Sequence, residues 1–452
     1  MKRGLLALYS WMWNSNDPWW KRLKDHGPLR RLLTVLSLDI FVKASAVVLL
    51  PIYLRLMTQD EYGLFNYILS IIYAVAMLFN LGLYIPQSKL YHDYPGRLER
   101  GKLITSIHIL LVAGLLILVL PVYLFGLDKE VPRLLFRNPI HYDRYRPWIL
   151  LMLLTSIFSY LLTNFFYTAE RIEPIKRYSL YRVAGIHGVS ILAMCLFRSG
   201  DPIRIRLAAI GCTELVLLVA FYRNYIGQAV KSIEPALLIR CLRLAFPVML
   251  GSMFGIIVNF GDKFFLEKHA DYKVLSVYYL GVACASVVAL LSTSLQNVWL
   301  PLFFKERDLS RNLVKTNRLV GRLVRTLVLL SFVAIVVVAA GLQLNLIPQR
   351  YAGVLSVLPL LLAGQVIYCV ALLYSNYLVY FERTAFILWA GLAVSITSTG
   401  LNMLLIPLWK IYGAAATLLI SNTCYLGIYY FLAMYYKKKR MPINESVSQP
   451  YQ

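Results

Sequence analysis

The sequence predicts an all-α polytopic membrane protein of about twelve transmembrane helices, arranged as two pseudo-symmetric six-helix halves. Three observations predict it. Of 452 residues, 59% are hydrophobic, against roughly 45–50% in an ordinary soluble domain. Only 15% are charged, and these cluster between apolar runs of about 20 residues, the length that crosses roughly 30 Å of hydrocarbon. Finally, a weak repeat recurs six helices apart, the spacing of a parallel duplication.

The chain opens on an arm, residues 1–31, in which Lys2 and Arg3 precede an apolar stretch reaching Trp13. It resembles a signal peptide only faintly, because no small-x-small cleavage site follows. Trp19, Trp20 and Lys21 suit an amphipathic segment in the headgroup layer. Reading apolar stretches between charged or Pro/Gly breaks then places spans at 32–54, 62–84, 103–126, 147–168, 178–197 and 207–224, a first bundle over 32–225. A cytoplasmic linker, 226–243, leads to the second bundle, 244–436. Its spans are 244–266, 274–299, 324–347, 354–380, 385–408 and 412–436, and a basic tail, 437–452, closes the chain.

The duplication rests on Glu61 to Ile68 opening the second span and Lys273 to Leu280 opening the eighth. Pro86 and Pro301 are expected to end those helices ahead of basic loops. Lys and Arg number 31 in the arm, the even-numbered loops and the tail, against 14 in the odd-numbered loops. The positive-inside rule therefore puts both termini in the cytoplasm. The formal charge of +24 reads as this sidedness and not as a nucleic-acid surface. No loop is long enough for an extramembrane catalytic domain, so a transporter is expected in preference to an enzyme. No Gly-x-x-x-x-Gly-Lys-Ser/Thr loop is present to bind ATP. The six cysteines lie in or beside apolar runs without Cys-x-x-Cys or a His at ligand spacing, so neither a disulfide framework nor a metal site is indicated.

Several motifs carry a family resemblance. Pro51-Ile52-Tyr53-Leu54-Arg55-Leu56-Met57 with Asp60-Glu61-Tyr62-Gly63-Leu64-Phe65 resembles the first-to-second helix turn of the Wzx-type polysaccharide flippases. Gly261-Asp262-Lys263-Phe264-Phe265-Leu266 is similar to that family's Asp-Arg-Phe at the end of the seventh helix, with Lys263 in place of the commoner Arg. Leu401 to Pro407, followed by Tyr412 to Thr417, resembles its eleventh-to-twelfth hairpin. The wider superfamily also holds multidrug exporters and the peptidoglycan lipid flippase. The resemblance implies two bundles around a central cleft in a bacterial inner membrane. It also implies a substrate of undecaprenyl-pyrophosphate-linked oligosaccharide (O-antigen, capsule or exopolysaccharide units) and a polysaccharide polymerase or chain-length partner. No cofactor is implied; a proton or sodium gradient would drive transport.

Charged residues within a bilayer cost roughly 2.5–3.5 kcal/mol each on insertion scales, so they mark pathways or structural pairs. Asp39 and Lys43 share one helix face near the midplane of the first span. They are either a self-neutralising pair between helices or a cleft pair whose Lys43 meets a substrate phosphate. Glu214, deep in the sixth span among Val, Leu and Ile, is expected either to carry a proton or to stay neutral and hydrogen-bonded. Arg182 is expected within a turn of the cytoplasmic end of the fifth span, snorkelling or lining the mouth. Asp262 and Lys263 are expected near the outer end of the seventh, where a solvated pair is inexpensive. Asn80, Asn164, His187, Asn259, Gln296, Gln365, Asn402 and Asn422 could bond sugars, although most such residues join helices. The rival readings are a cation exporter of the same superfamily, which would want an acidic midplane, and a membrane oligosaccharide polymerase, for which the only acids in a long outer loop are Asp128, Glu130 and Asp143.

Overall fold

A computed structural model describes residues 45–445 apart from Pro95, Pro139, residues 306–308, Glu382 and Thr384. Most of the first expected span, with Asp39, Lys43 and the arm 1–31, lies outside the described residues, as does the end of the tail. The described residues are helical with no strand, and eleven helices are long and apolar enough to cross a membrane. α1 (Leu50–Leu56) ends the first span. It is followed by α2 (Gln59–Phe79), α3 (Tyr84–Asp93), α4 (Arg97–Leu124), the short α5 (Val131–Leu135), α6 (Tyr142–Thr168), α7 (Ile172–Leu196) and α8 (Pro202–Ile226). The second half comprises α9 (Pro235–His269), α10 (Tyr272–Lys305), α11 (Leu309–Gln343), α12 (Val354–Tyr380), α13 (Ala385–Trp409) and α14 (Ile411–Glu445).

Local chemistry sets the helix starts. Thr58 and Glu61 form a reciprocal capping box at α2. Asp201 accepts from the Ile203 and Arg204 amides ahead of Pro202 at α8. Several helices outrun their apolar spans. α9 begins at Pro235, inside the expected linker, and α11 begins at Leu309 and not near 324. In the added turns of α11, Asn312 and Thr316 are buried while Arg318 and Arg322 are exposed. An amphipathic face extends the helix beyond where hydropathy alone would start it.

One expected helix is broken. The span read as 62–84 stops at Phe79, and Leu81 and Gly82 adopt left-handed φ of 54° and 68° before α3 begins. A Cβ on Gly82 would stand 2.5 Å from the Ala245 carbonyl oxygen, so close approach of α9 also demands glycine there. Pro86 therefore ends nothing. It sits in the first turn of α3, where its missing N–H is unneeded, and Pro301 lies within α10.

In the first half α8 packs against both α6 and α7, and α2 lies on α6. In the second, α12 packs on α10 and α14, and α13 bridges α9 and α14. The halves meet where α2 crosses α10. A methyl group on Gly63 would stand 2.2 Å from the Tyr272 carbonyl oxygen, so the two repeated segments touch at a glycine.

The connections at 57–58, 125–141, 197–201, 270–271, 344–353 and Lys410 define one end of the molecule, the odd face; the even face is opposite. At the odd face the halves are bonded together. Arg350 donates to the Leu54 and Met57 carbonyls at 2.6 and 2.7 Å, and Gln59 donates to the Arg350 carbonyl at 2.6 Å. Arg55 donates to the Asn345 carbonyl. Buried Glu267 accepts the Arg137 amide at 2.8 Å, and Tyr279 donates to Ser70 at 2.9 Å. Towards the even face the only such links among the described residues are those of α9 and its approach to α3 and α4, through Arg240–Asp93 at 3.6 Å and Lys102–Glu234 at 3.4 Å. Along α2, Tyr62, Phe65 and Tyr67 are buried, whereas Tyr73 and Met77 are 46% and 49% exposed. A space therefore opens on the even side of Tyr73.

Candidate substrate cleft

The centre of the first half is a charged cluster. Glu214 lies about 18 Å along α8 at 1.5 Å per residue and is 3% exposed. Its carboxylate accepts from the Arg182 guanidinium on α7, and from the Ser159 and Tyr178 hydroxyls, each at 3.0 Å. Three donors from two other helices converge on one carboxylate. The aliphatic residues beside Glu214 in sequence are thus not its surroundings in space. Arg182 also differs from expectation. Because α7 starts at Ile172, Arg182 lies about 15 Å along it, and its guanidinium turns to Glu214 on α8. Tyr73 on α2, Ser159 on α6 and Arg182 on α7 line one cavity.

Arg206 is not among the residues the sequence singles out, because the apolar run starts at 207. The Asp201-Pro202 start signature was the available signal, and it sets Arg206 in the second turn of α8. Its guanidinium lies between two rings, 3.7 Å from the centroid of Tyr53 and 4.1 Å from that of Phe65. Its Nε has no partner, and among the described residues no carboxylate pairs with it. Tyr53 bonds His187 Nδ1 at 2.9 Å. Arg182, His187 and Arg206 therefore form a series of nitrogen-bearing side chains running from the middle of α7 towards the odd end of α8, and Glu214 neutralises only the first.

In the second half, Asp262 is 4% exposed. It accepts from the Lys263 ammonium at 3.0 Å and from Tyr278, while Lys263 also donates to the Asn259 carbonyl at 2.6 Å. The expected solvated pair is in fact buried, because α9 runs on to His269 and α10 covers it. No contact among the described residues links this pair to Arg182 and Glu214. Asp39 and Lys43 lie outside the described residues.

Of the uncharged polar candidates, several join helices. Asn164 accepts from Ser88 at 3.2 Å, Asn376 donates to Gln296 at 3.0 Å, and Asn422 donates to the Gly364 carbonyl at 3.0 Å. Asn80 and Asn402 are buried with neither amide atom partnered. Among the described residues no three His, Cys, Asp or Glu gather as a metal site.

A family described as "Polysaccharide biosynthesis protein" matches residues 29–307. No curated protein matches the chain. Among solved structures, it is similar to the lipid II flippase MurJ in an inward closed conformation: 14% identity, 88% of this chain and 87% of the other covered, TM-score 0.70. An inward-facing multidrug resistance MATE family transporter of the MOP superfamily gives 11% identity, 92% and 100% coverage and TM-score 0.68. An outward-facing MATE structure gives 12%, 92% and 96%, and 0.58. These likenesses show the fold.

Proposed function

We propose, from the premise that this chain belongs to the polysaccharide biosynthesis protein family, that it is a flippase for polyprenyl-pyrophosphate-linked oligosaccharide units. The observation that carries the reading is the interior series Arg182, His187 and Arg206, in a half open on the even side and bonded shut at the odd face. A diphosphate cannot cross hydrocarbon unshielded. Guanidinium groups offer it forked donors in a setting from which water is largely excluded, while the lipid tail stays in the bilayer. The charge bias of the loops supports the even face as cytoplasmic, with both termini inside a bacterial inner membrane.

Transport would alternate the closed face. Substrate enters from the even side, the odd-face bonds release, and the head group leaves outside. Glu214 is the candidate for coupling to a proton or sodium gradient, through its partner. Protonating Glu214 removes the counter-charge from Arg182 and frees the guanidinium for phosphate. Two rival readings lose support. A cation exporter would place its cargo beside an excess of interior basic groups. For a polymerase, the loop acids are engaged in ion pairs: Asp128 with Arg146 at 2.7 Å, Asp143 with Lys129 at 3.0 Å, and Glu130 with Arg133. Burial would raise the Asp128 carboxyl, but donors from Arg146 and Tyr142 outweigh it and hold the group below its ordinary value.

The test is leaflet-specific labelling of the glycolipid after depletion. Intact single units trapped facing the cytoplasm support the reading. Single units exposed outside and unpolymerised would overturn it in favour of a polymerase.

A further inference from the structure

Beside the charged cluster, α2, the start of α3, α6 and α7 line a cavity of about 310 Å³. That is the lower end of the range for small-molecule sites, room for one small ligand and not for a whole repeat unit. Its cation is already neutralised, since Arg182 enters it paired to Glu214. What remains is aromatic and neutral. The rings of Tyr73, Tyr84 and Tyr160 line it, with Ser156 and Asn80 between them.

None of the three tyrosine hydroxyls, nor Ser156, makes a hydrogen bond among the described residues, and both amide atoms of buried Asn80 lack partners. The Asn80 amide, buried and unpartnered, is a costly arrangement that a ligand would relieve. Asn80 stands at the break between α2 and α3, which holds a polar residue at the cavity wall where a continuous helix would turn onward. Tyr84 and Tyr160 meet edge to face at 5.4 Å, which leaves the Tyr160 ring 48% exposed.

We propose that this cavity binds one pyranose residue of the substrate's oligosaccharide, the part that distinguishes one glycolipid from another. The inference rests on the flippase reading and deepens it. A sugar ring presents an apolar C–H face and a rim of hydroxyls that both donate and accept. Exposed tyrosine rings match the face, and unmet amide and hydroxyl groups match the rim. While Arg182 and Glu214 hold each other, a diphosphate finds no unpaired cation here and an aromatic cation no unpaired carboxylate.

Purified full-length protein in nanodiscs would be titrated with two probes: the host's lipid-linked repeat unit, and undecaprenyl pyrophosphate bearing no sugar. Tyr160→Ala is expected to weaken the glycolipid at least about tenfold and to leave the sugar-free lipid unchanged. Tyr73→Phe, which keeps the ring and shape, should weaken the glycolipid by a few fold. Equal weakening of both probes, or no change with either variant, overturns the sugar assignment while leaving the flippase reading intact. Wild type that binds neither probe fails the flippase reading itself, and the pocket with it. Stronger binding of an aromatic cation such as ethidium than of the glycolipid, lost in Tyr160→Ala, would also overturn the assignment.

Discussion

Two arginines in the first half differ in what holds them, and the difference predicts different behaviour. Arg182 has a buried carboxylate partner, so removing one member leaves an uncompensated charge. Arg182→Ala should cost about 3–5 kcal/mol, read as a lower thermal midpoint of the purified protein. Adding Glu214→Gln should recover much of that stability but not transport, because the guanidinium is still missing. Recovery of transport in the double variant would make the pair purely structural. Arg206 has aromatic faces and no carboxylate, so Arg206→Met removes cation–π attraction of about 0.5–2 kcal/mol per ring and leaves no orphan acid. Near-normal yield with strongly reduced flipping is expected, and Arg206→Lys should keep part of the activity. Unimpaired flipping in Arg206→Met would exclude the residue from the pathway. Glu214 stands out in the sequence as an acid within an apolar run, and it is buried, but its partner is not legible there. Residue spacing reports neighbours along one helix, whereas Arg182, Ser159 and Tyr178 arrive from two others.

Helices were most legible where hydrophobicity alone decides them, and α12 occupies the expected 354–380 to the residue. Legibility fell where another force takes over. In α11 an amphipathic face carries the helix past the hydrocarbon, and between α2 and α3 a left-handed pair interrupts an unbroken apolar run. Pattern reading sees neither, since the first looks like a loop and the second like a span. The α2–α10 crossing supplies a direct test at this scale. Gly63→Ala puts a methyl group against the Tyr272 backbone, which cannot be moved by a rotamer change. A loss of about 1–3 kcal/mol is expected, with the halves displaced at the odd face. Thiol labelling of cysteines placed along α2 should then increase at Phe65. If Gly63→Ala keeps wild-type stability and labelling, the crossing is looser than the close approach implies.

For the whole molecule, the odd-face bonds and the exposed even-side wall of α2 are, under the proposed flippase function, one state of a two-state carrier. Holding that state should stop the cycle. In a background without native cysteines, Gln59→Cys with Arg350→Cys joined by a short cleavable thiol reagent is expected to abolish flipping, and cleavage should restore it. Continued flipping by the joined protein would show that the odd face need not open. The same seal has a further property. Arg350 grips the carbonyls of Leu54 and Met57, Arg55 and Gln59 grip the carbonyls of Asn345 and Arg350, and Glu267 holds the Arg137 amide. In every one of these bonds one partner is main chain, which substitution does not remove. These bonds therefore set no demand on the side chains at Leu54, Met57, Asn345 and Arg137, although burial in the core constrains Leu54 and Met57 separately. Pairwise covariation in an alignment should be faint across these main-chain contacts, and stronger at side-chain pairs such as Tyr279 with Ser70 at the same face or Arg182 with Glu214.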